Sequence, residues 1–379
     1  MEDRSYIFTL FGATGDLARK KIIPAFFELF TKGKLPKEWK LVLFIRKSWQ
    51  RADIEKFVTE VLPGADVASF AEHLFAFEGD IEDVDSFRKL KEFSHGLGKF
   101  DESLFFLSVS PVLYVKAVSN ICDANISGET SKILIEKPFG VNSEGAKELN
   151  SLLHTFLPEE RIFRVDHYLA KDAMEDLLDL TGGVDTVEAR FIENKTVGNR
   201  GAFYDATGAF LDVGQNHLLM MLARSLRSIR HTGSLLEVLQ GLTVLPSGTV
   251  RAQYEGYTSE KDVNPQSETE TYFKVRLRSS EIDCILEGGK GFNQPDIAVE
   301  VAYEYKEKTI IDFSQKRAGS LDPHAKILFA AMTGDRSLFV SREEAEEEWR
   351  IADEVTRELR KAPLQVYPKG TIYKENIFE

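Results

Sequence analysis

The stretch Tyr6-Ile-Phe-Thr-Leu-Phe-Gly12-Ala-Thr-Gly15-Asp-Leu-Ala18-Arg-Lys-Lys21 decides the fold. Its first six residues form an apolar, aromatic-rich run that reads as a β-strand. The run passes directly into a G-x-x-G-x-x-A turn, and Leu17–Phe30 then reads as a helix. Small residues in such a turn let the backbone approach a pyrophosphate, whose charge the following helix N-terminus favours. Glycine spacing alone is a weak signal. Its place after an N-terminal strand and before a helix makes it a dinucleotide-binding signature.

Moving outward, short apolar runs keep alternating with helical segments. Leu41–Ile45, Leu74–Phe77, Leu104–Val109 and Ile133–Ile135 read as strands, and Asp53–Leu62, Val84–Phe93, Pro111–Cys122 and Ser143–Phe156 as helices. That rhythm predicts a doubly wound parallel sheet of the Rossmann type over residues 1–165. Beyond Val165 the pattern changes to long strands in succession. Along Thr271–Arg278, Phe273, Val275 and Leu277 alternate with Lys274, Arg276 and Arg278, and Glu188–Glu193 alternates likewise. This predicts an α+β domain over 166–379 with a largely antiparallel sheet, wet on one face. A helix is expected over Gly208–Leu226, and another opens at Ser341 and Glu344, with the acidic run Glu343–Glu348 as its solvated face.

A chain of 379 residues is long enough for two such domains at roughly 150 residues each. Its net charge of −13 argues against a nucleic-acid or anionic-membrane partner, so any positive charge for an anionic substrate must be local. No run approaches the ~18 apolar residues of a membrane helix, and the acidic start does not read as a signal peptide. Two cysteines, Cys122 and Cys284, with no CxxC pair, suggest neither a disulfide framework nor a metal site; a cytoplasmic protein is expected.

Four clusters carry chemistry. At the end of the second strand, Arg46-Lys47 suit a ribose 2′-phosphate, where an acid would hold a free hydroxyl; this points to NADP. The fifth strand ends in Glu136-Lys137-Pro138-Phe139-Gly140, placing a lysine at the carboxyl edge of the sheet, where open α/β sheets bind ligands. Arg164-Val-Asp166-His167-Tyr168-Leu-Ala-Lys171 gathers an acid, an imidazole, a phenol and an ammonium; on a helical turn His167 and Lys171 would share a face and grip one phosphate. Downstream, Asp212-Val-Gly-Gln215-Asn216-His217 crowds polar groups into an otherwise apolar helix, where each needs a partner.

These elements, with Asn199-Arg-Gly-Ala-Phe-Tyr-Asp-Ala-Thr-Gly208 and the closing Tyr367-Pro-Lys-Gly-Thr371, resemble the glucose-6-phosphate dehydrogenase family, in its order and from Phe8 to about Thr371. The resemblance implies oxidation of glucose 6-phosphate at C1 to the lactone with hydride transfer to NADP, the opening step of the oxidative pentose phosphate pathway. It implies that His217 is the base, that Asp166 holds it, and that Lys137 contacts both sugar and nicotinamide. His167, Tyr168 and Lys171 would bind the 6-phosphate; Glu193, Asp212 and Lys290 would bind the sugar. Gly12, Gly15, Asp16, Leu17, Lys21 and Arg46, with Lys137, would hold the cofactor. It also implies a homodimer or homotetramer paired through the C-terminal sheet.

The chemistry supports the assignment independently. Hydride leaves C1 more readily as its hydroxyl loses a proton, so a base titrating near neutrality is needed, and histidine supplies one. The chain departs from the family in being shorter, notably over Lys306–Ser320. Phe292-Asn-Gln-Pro-Asp replaces an arginine-rich continuation, so a second NADP site is not expected, and Leu211 stands where an arginine usually precedes Asp212. Two alternatives remain: a related dehydrogenase of another hexose phosphate or a free sugar, and a catalytically silent sensor of sugar phosphate or NADP.

Overall fold

The computed structural model describes residues 4–373 apart from Ser127, Glu129 and Thr232. The chain forms two compact units, Met1–Ala170 with Leu321–Arg342, and Lys171–Ser320 with Glu343–Glu379.

The first unit is built on β1 (Tyr6–Phe11), β2 (Trp39–Ile45), β3 (Leu74–Glu78), β4 (Glu102–Leu107), β5 (Lys132–Glu136) and β6 (Ile162–Val165), all parallel, in the spatial order β6-β5-β4-β1-β2-β3. Helices cover both faces, so the strands are mostly apolar and β1 is buried at every position. The order reverses between β1 and β4, and the carboxyl ends of these two strands form the switch point where such sheets bind ligands. The returning segment adds Phe339–Val340 antiparallel to β6 and buries Ala325, Ile327, Leu328 and Ala331 in the same core. The sequence reading, with one boundary after Val165, gave no sign of this return: a two-residue strand has no periodicity to read.

The glycine turn is tight because it has to be. Gly12 has φ 72°, and a Cβ there would lie 2.2 Å from the Ser108 carbonyl oxygen just beyond β4. The following helix is not uniformly α: Ala18–Ile22 is a wide π turn, with the Ile23 N–H donating to Ala18 O, before the α-helix Ile23–Thr31. Pro24 has no N–H to give and its ring crowds the preceding turn, which the wider turn accommodates.

The second unit carries β7 (Val184–Ile192), β8 (Leu242–Tyr254), β9 (Tyr272–Ser279), β10 (Ile282–Gly289), β11 (Asp296–Tyr303) and β12 (Thr309–Asp312), ordered β12-β11-β7-β10-β9-β8, with Leu364–Tyr367 beyond β8. Pairing is antiparallel except β7 with β10 and β8 with the last strand. The alternation seen in the sequence holds: Phe273, Val275 and Leu277 are fully buried, and Arg278 is exposed. On the wet face Asp283 pairs with Arg276 at 3.1 Å and Arg278 at 2.6 Å. The fold is therefore α/β followed by α+β, as the sequence implied.

Two local expectations fail. The helix read over Gly208–Leu226 is three pieces: Gly201–Ala209, kinked at Gly208 (φ 73°, ψ 174°), a π segment Phe210–Leu218, and an α-helix Leu219–Arg230. The acidic run Glu343–Glu348 is not wholly a solvated face, since Glu348 is fully buried in the helix Arg342–Lys361. Among the described residues, no helix is long and apolar enough to cross a membrane.

Gly12 and Gly33 separate conformational from steric cost, since Gly33 also has positive φ but a Cβ there would meet nothing within 4 Å. Gly33→Ala is expected to cost ~1–2 kcal/mol, the left-handed penalty alone. Gly12→Ala adds overlap with a backbone oxygen and should cost ~3 kcal/mol or more. Urea denaturation of both variants checks the difference; equal midpoints would contradict it.

Candidate active site

The cofactor edge of the first unit is assembled from the ends of β1 and β2. Gly15 N–H donates to Gly12 O at 2.9 Å, closing the turn, and Leu17 is half-buried behind it. Asp16 and Lys21 are exposed on the helix that follows, and Lys20 bonds Asp16 at 2.6 Å, which holds its carboxyl below the usual value. Arg46 and Lys47 lie exposed immediately after β2. The close approach at Gly12, just before a helix N-terminus, fits the pyrophosphate of a dinucleotide.

At the ends of β5 and β6 the first unit concentrates buried charge. Lys137 Nζ lies 3.2 Å from Asp166 Oδ2, with side chains 4% and 0% exposed. Asp166 also ends β6 with an Asx turn: its Oδ1 accepts from Tyr168 N–H at 3.0 Å, and its carbonyl from Leu169 N–H at 3.0 Å. Residues 167–170 are therefore turns and not the helical turn expected across His167 and Lys171. The Lys137–Pro138 peptide is cis, and Gly140 (φ 95°) lets the loop close on Ala146, whose nitrogen a Cβ would meet at 2.5 Å. Arg164, in the same motif, is structural: it is fully buried, with Nε on Asn150 at 2.9 Å and Nη1 on both Glu159 oxygens.

His167 lies between two rings, Tyr168 (centroids 4.9 Å) and His324 (5.2 Å, interplanar 22°). Burial, then the charge of Asp166, pushes the Glu136 carboxyl up to about 8. Neither Glu136 nor His324 was read as a site residue. Glu136 was visible only as the flank of Lys137, and His324 arrives from the returning segment, far off in sequence.

The second unit holds the other half of the expected set. Lys290, 6% exposed at the end of β10, bonds Glu193 and lies 3.4 Å from Asp212 Oδ2. Asp212 Oδ1 also accepts from Arg200 at 2.9 Å. A guanidinium thus reaches this aspartate from Arg200, although Leu211 stands where the family's arginine was expected. Arg200 lay inside the quoted glycine-rich motif, and nothing in the spacing gave it a role. His217, half-buried, stacks on Phe191 at 6.1 Å and 22°. Gly214 and Gly288 let the π segment pack closely on the sheet: a Cβ on either would meet the Phe273 ring at 2.9 and 2.6 Å. Widened turns of this kind are frequent at functional sites. Lys171, also in this unit, donates from Nζ to the Phe313 carbonyl at 2.8 Å.

A Rossmann sheet, a glycine turn and a strand-end lysine paired with a buried acid define a nicotinamide-dinucleotide-dependent oxidoreductase, and comparison with known proteins specifies which. Residues 9–176 match the family described as Glucose-6-phosphate dehydrogenase, NAD binding domain, and residues 174–323 and 306–377 its C-terminal domain. A chloroplastic glucose-6-phosphate 1-dehydrogenase of Nicotiana tabacum is 26% identical over 463 residues, covering 96% of this chain and 78% of that protein. The glucose-6-phosphate 1-dehydrogenase of Streptococcus pneumoniae is 26% identical over 396 residues, covering 91% and 79%. A solved glucose-6-phosphate dehydrogenase, in complex with its substrate glucose 6-phosphate, shares the fold with a TM-score of 0.87 at 22% identity, covering 99% of this chain and 96% of the other. The chain belongs to the glucose-6-phosphate dehydrogenase family.

Removing one partner of the buried Lys137–Asp166 pair leaves an uncompensated charge. Lys137→Met is expected to destabilise by ~3–5 kcal/mol, and Lys137→Met with Asp166→Asn by clearly less than the sum of the single changes. Denaturation of the four proteins checks this; additive effects would mean that the pair is not energetically coupled.

Proposed function

We propose that the protein oxidises glucose 6-phosphate at C1 to 6-phosphoglucono-lactone with NADP⁺, opening oxidative pentose phosphate metabolism in the cytoplasm. In this reading His217 takes the proton of the C1 hydroxyl, and Asp166 orients its imidazole and stabilises the imidazolium that forms. A nicotinamide held at this edge of the sheet would supply the acceptor for the hydride leaving C1. Lys137, charged and buried, contacts sugar and cofactor alike; Glu193 and Asp212, gathered by Lys290, hold sugar hydroxyls. His167, Tyr168 and Lys171 take the 6-phosphate, doing no chemistry but positioning C1, which lowers the entropic part of the barrier. For Lys171 this requires its ammonium to exchange or share its present bond to the Phe313 carbonyl. Gly12, Gly15, Asp16, Leu17 and Lys21 cradle the dinucleotide, and Arg46 meets the 2′-phosphate. Self-association through the second unit's sheet, as a homodimer or homotetramer, belongs to the same reading and is measured by sedimentation.

The observation that carries this is the family match over both units, joined to the buried Lys137–Asp166 pair at the carboxyl edge of the sheet. The deciding experiment is a panel of hexose 6-phosphates and free hexoses assayed with each nicotinamide cofactor by the absorbance of its reduced form. Glucose 6-phosphate with NADP⁺ should give the highest kcat/KM, and no turnover on any member would make the protein a sensor.

Cofactor choice has its own test. Arg46→Asp should cost ~1.5–3 kcal/mol of NADP⁺ binding by loss of a charged contact, and shift preference toward NAD⁺. An unmutated protein that reduces NAD⁺ with the higher kcat/KM would show that Arg46 does not read the 2′-phosphate.

The base is tested by His217→Asn, which should leave substrate affinity within a few fold while kcat falls ~10²–10⁴-fold or more. Asp166→Asn should lower kcat as well, and the two together less than multiplicatively, since both disable one functional unit. Near-normal kcat in His217→Asn would remove His217 from the chemistry.

A further inference from the structure

Behind the motif Asp166-His167-Tyr168 lies a second titratable cluster that the mechanism above does not use. His324, 3% exposed, is the second residue of the helix Pro323–Thr333. Its Nε2 faces Glu136 Oε1 at 3.6 Å, and its Nδ1 faces Asp322 Oδ1 at 3.6 Å. Asp322 is fixed from two sides: its carboxylate accepts from His324 N–H at 2.9 Å, capping the helix, and its own N–H donates to Glu28 at 2.9 Å. Glu136 is anchored through its backbone, whose carbonyl accepts from the Tyr114 hydroxyl at 2.9 Å.

We propose that His324 and Glu136 act as a buried positioning pair for His167, with the His324 ring as the platform on which the His167 imidazole lies and the Glu136 carboxyl setting the orientation of that platform. This rests on the reading of His167 as a ligand of the 6-phosphate. An imidazole grips a phosphate oxygen well only if its ring plane is set beforehand, and a ring free to rotate loses that advantage as entropy on binding. Here one face of His167 is covered by His324 at 22° to parallel, with Tyr168 against it at 58°. The platform itself lies between two carboxyl groups, each 3.6 Å from one of its ring nitrogens.

The arrangement also makes phosphate binding sensitive to pH. The charged and titratable groups around Glu136 are Asp166, Lys137, His324 and the Tyr114 hydroxyl; those around His324 are Glu136, Asp322 and His167, with Lys21 acting on Asp322. Asp322 is kept ionised, with bonds from His324 and the charges of His324 and Lys21 holding it down to about 2 against the opposing effect of its burial. Glu136 is pushed up to about 8 by burial and Asp166, so it is the neutral acid at neutral pH. As pH rises through that value, a new negative charge appears beside the platform of a dianion-binding ring. Affinity for the phosphorylated sugar should fall there, while free glucose, lacking the phosphate, should not respond.

The test measures KM and kcat for glucose 6-phosphate, and kcat/KM for free glucose, between about pH 6.5 and about pH 9. His324→Ala should raise KM for the phosphorylated sugar ~10-fold, with kcat and free-glucose kcat/KM within about threefold; His324→Phe, which keeps a flat ring, should recover most of the loss. The parent KM should climb over the alkaline half of the range, and Glu136→Gln, a neutral isostere, should flatten that climb. Equal damage by His324→Phe to both substrates, or an alkaline climb unchanged in Glu136→Gln, overturns the proposal, and these two variants decide the matter if His324→Ala does not fold. His167→Gln separates the levels of failure. If it raises KM selectively for the phosphorylated sugar but the His324 and Glu136 variants do not, the positioning pair is wrong and the phosphate assignment stands. If it does not, the phosphate assignment falls and the pair with it.

Discussion

Lys137 and Asp166 meet at 3.2 Å with almost no exposure to water, and the carboxyl edge of the first unit is organised around that contact. Neither charge is tolerable there alone, because taking one ion out of water costs several kcal/mol that only a partner offsets. The pair therefore holds the ends of β5 and β6 in register with each other. Its consequences spread outward: Asp166 closes the turn that presents His167 and Tyr168, and its charge helps keep Glu136 protonated one residue before Lys137. A strand-end lysine thus becomes a fixed positive charge at the place where a parallel sheet receives its ligand.

The second unit solves the same problem with the same means. Lys290, 6% exposed, draws Glu193 and Asp212 together, and Arg200 adds a second cation to Asp212. Tyr204 lies buried beside these acids, and its phenol's pKa is driven well above the ordinary value, first by its own loss of water and then by the charge of Asp212. What differs is the scaffold. The first unit presents its charges at strand ends, while the second uses a widened helical segment whose approach to the sheet depends on Gly214 and Gly288 at the Phe273 ring. The π segment rotates successive residues by less than an α-helix does, so Asp212 and His217 take directions that an α-helical reading of Gly208–Leu226 would assign wrongly.

Much of this was legible in the sequence, and for identifiable reasons. Strands buried on both faces read as near-continuous apolar runs, so β1 and β2 announced themselves; a sheet wet on one face must alternate, so β9 did too. The turn at Gly12 was readable because no other residue fits φ 72° with a backbone oxygen where Cβ would stand. Cation and acid types in Glu136-Lys137 and Asp166-His167-Tyr168 marked the chemistry, since each is expensive to bury without purpose.

Local pattern therefore determined the two fold classes, the glycine turn, the basic pair after β2 and the identities of the charged residues. Tertiary structure alone decided their partners. That Arg200 holds Asp212, that Glu348 in an acidic run is buried, that the helix carrying Asp212 widens at Phe210, and that Leu321–Arg342 returns to the first unit carrying His324 to Glu136 all depend on contacts between residues distant along the chain. Periodicity and propensity report only a residue's own turn or strand. Which charge neutralises which is settled when the core closes, because only then does water leave and each buried group have to find its partner.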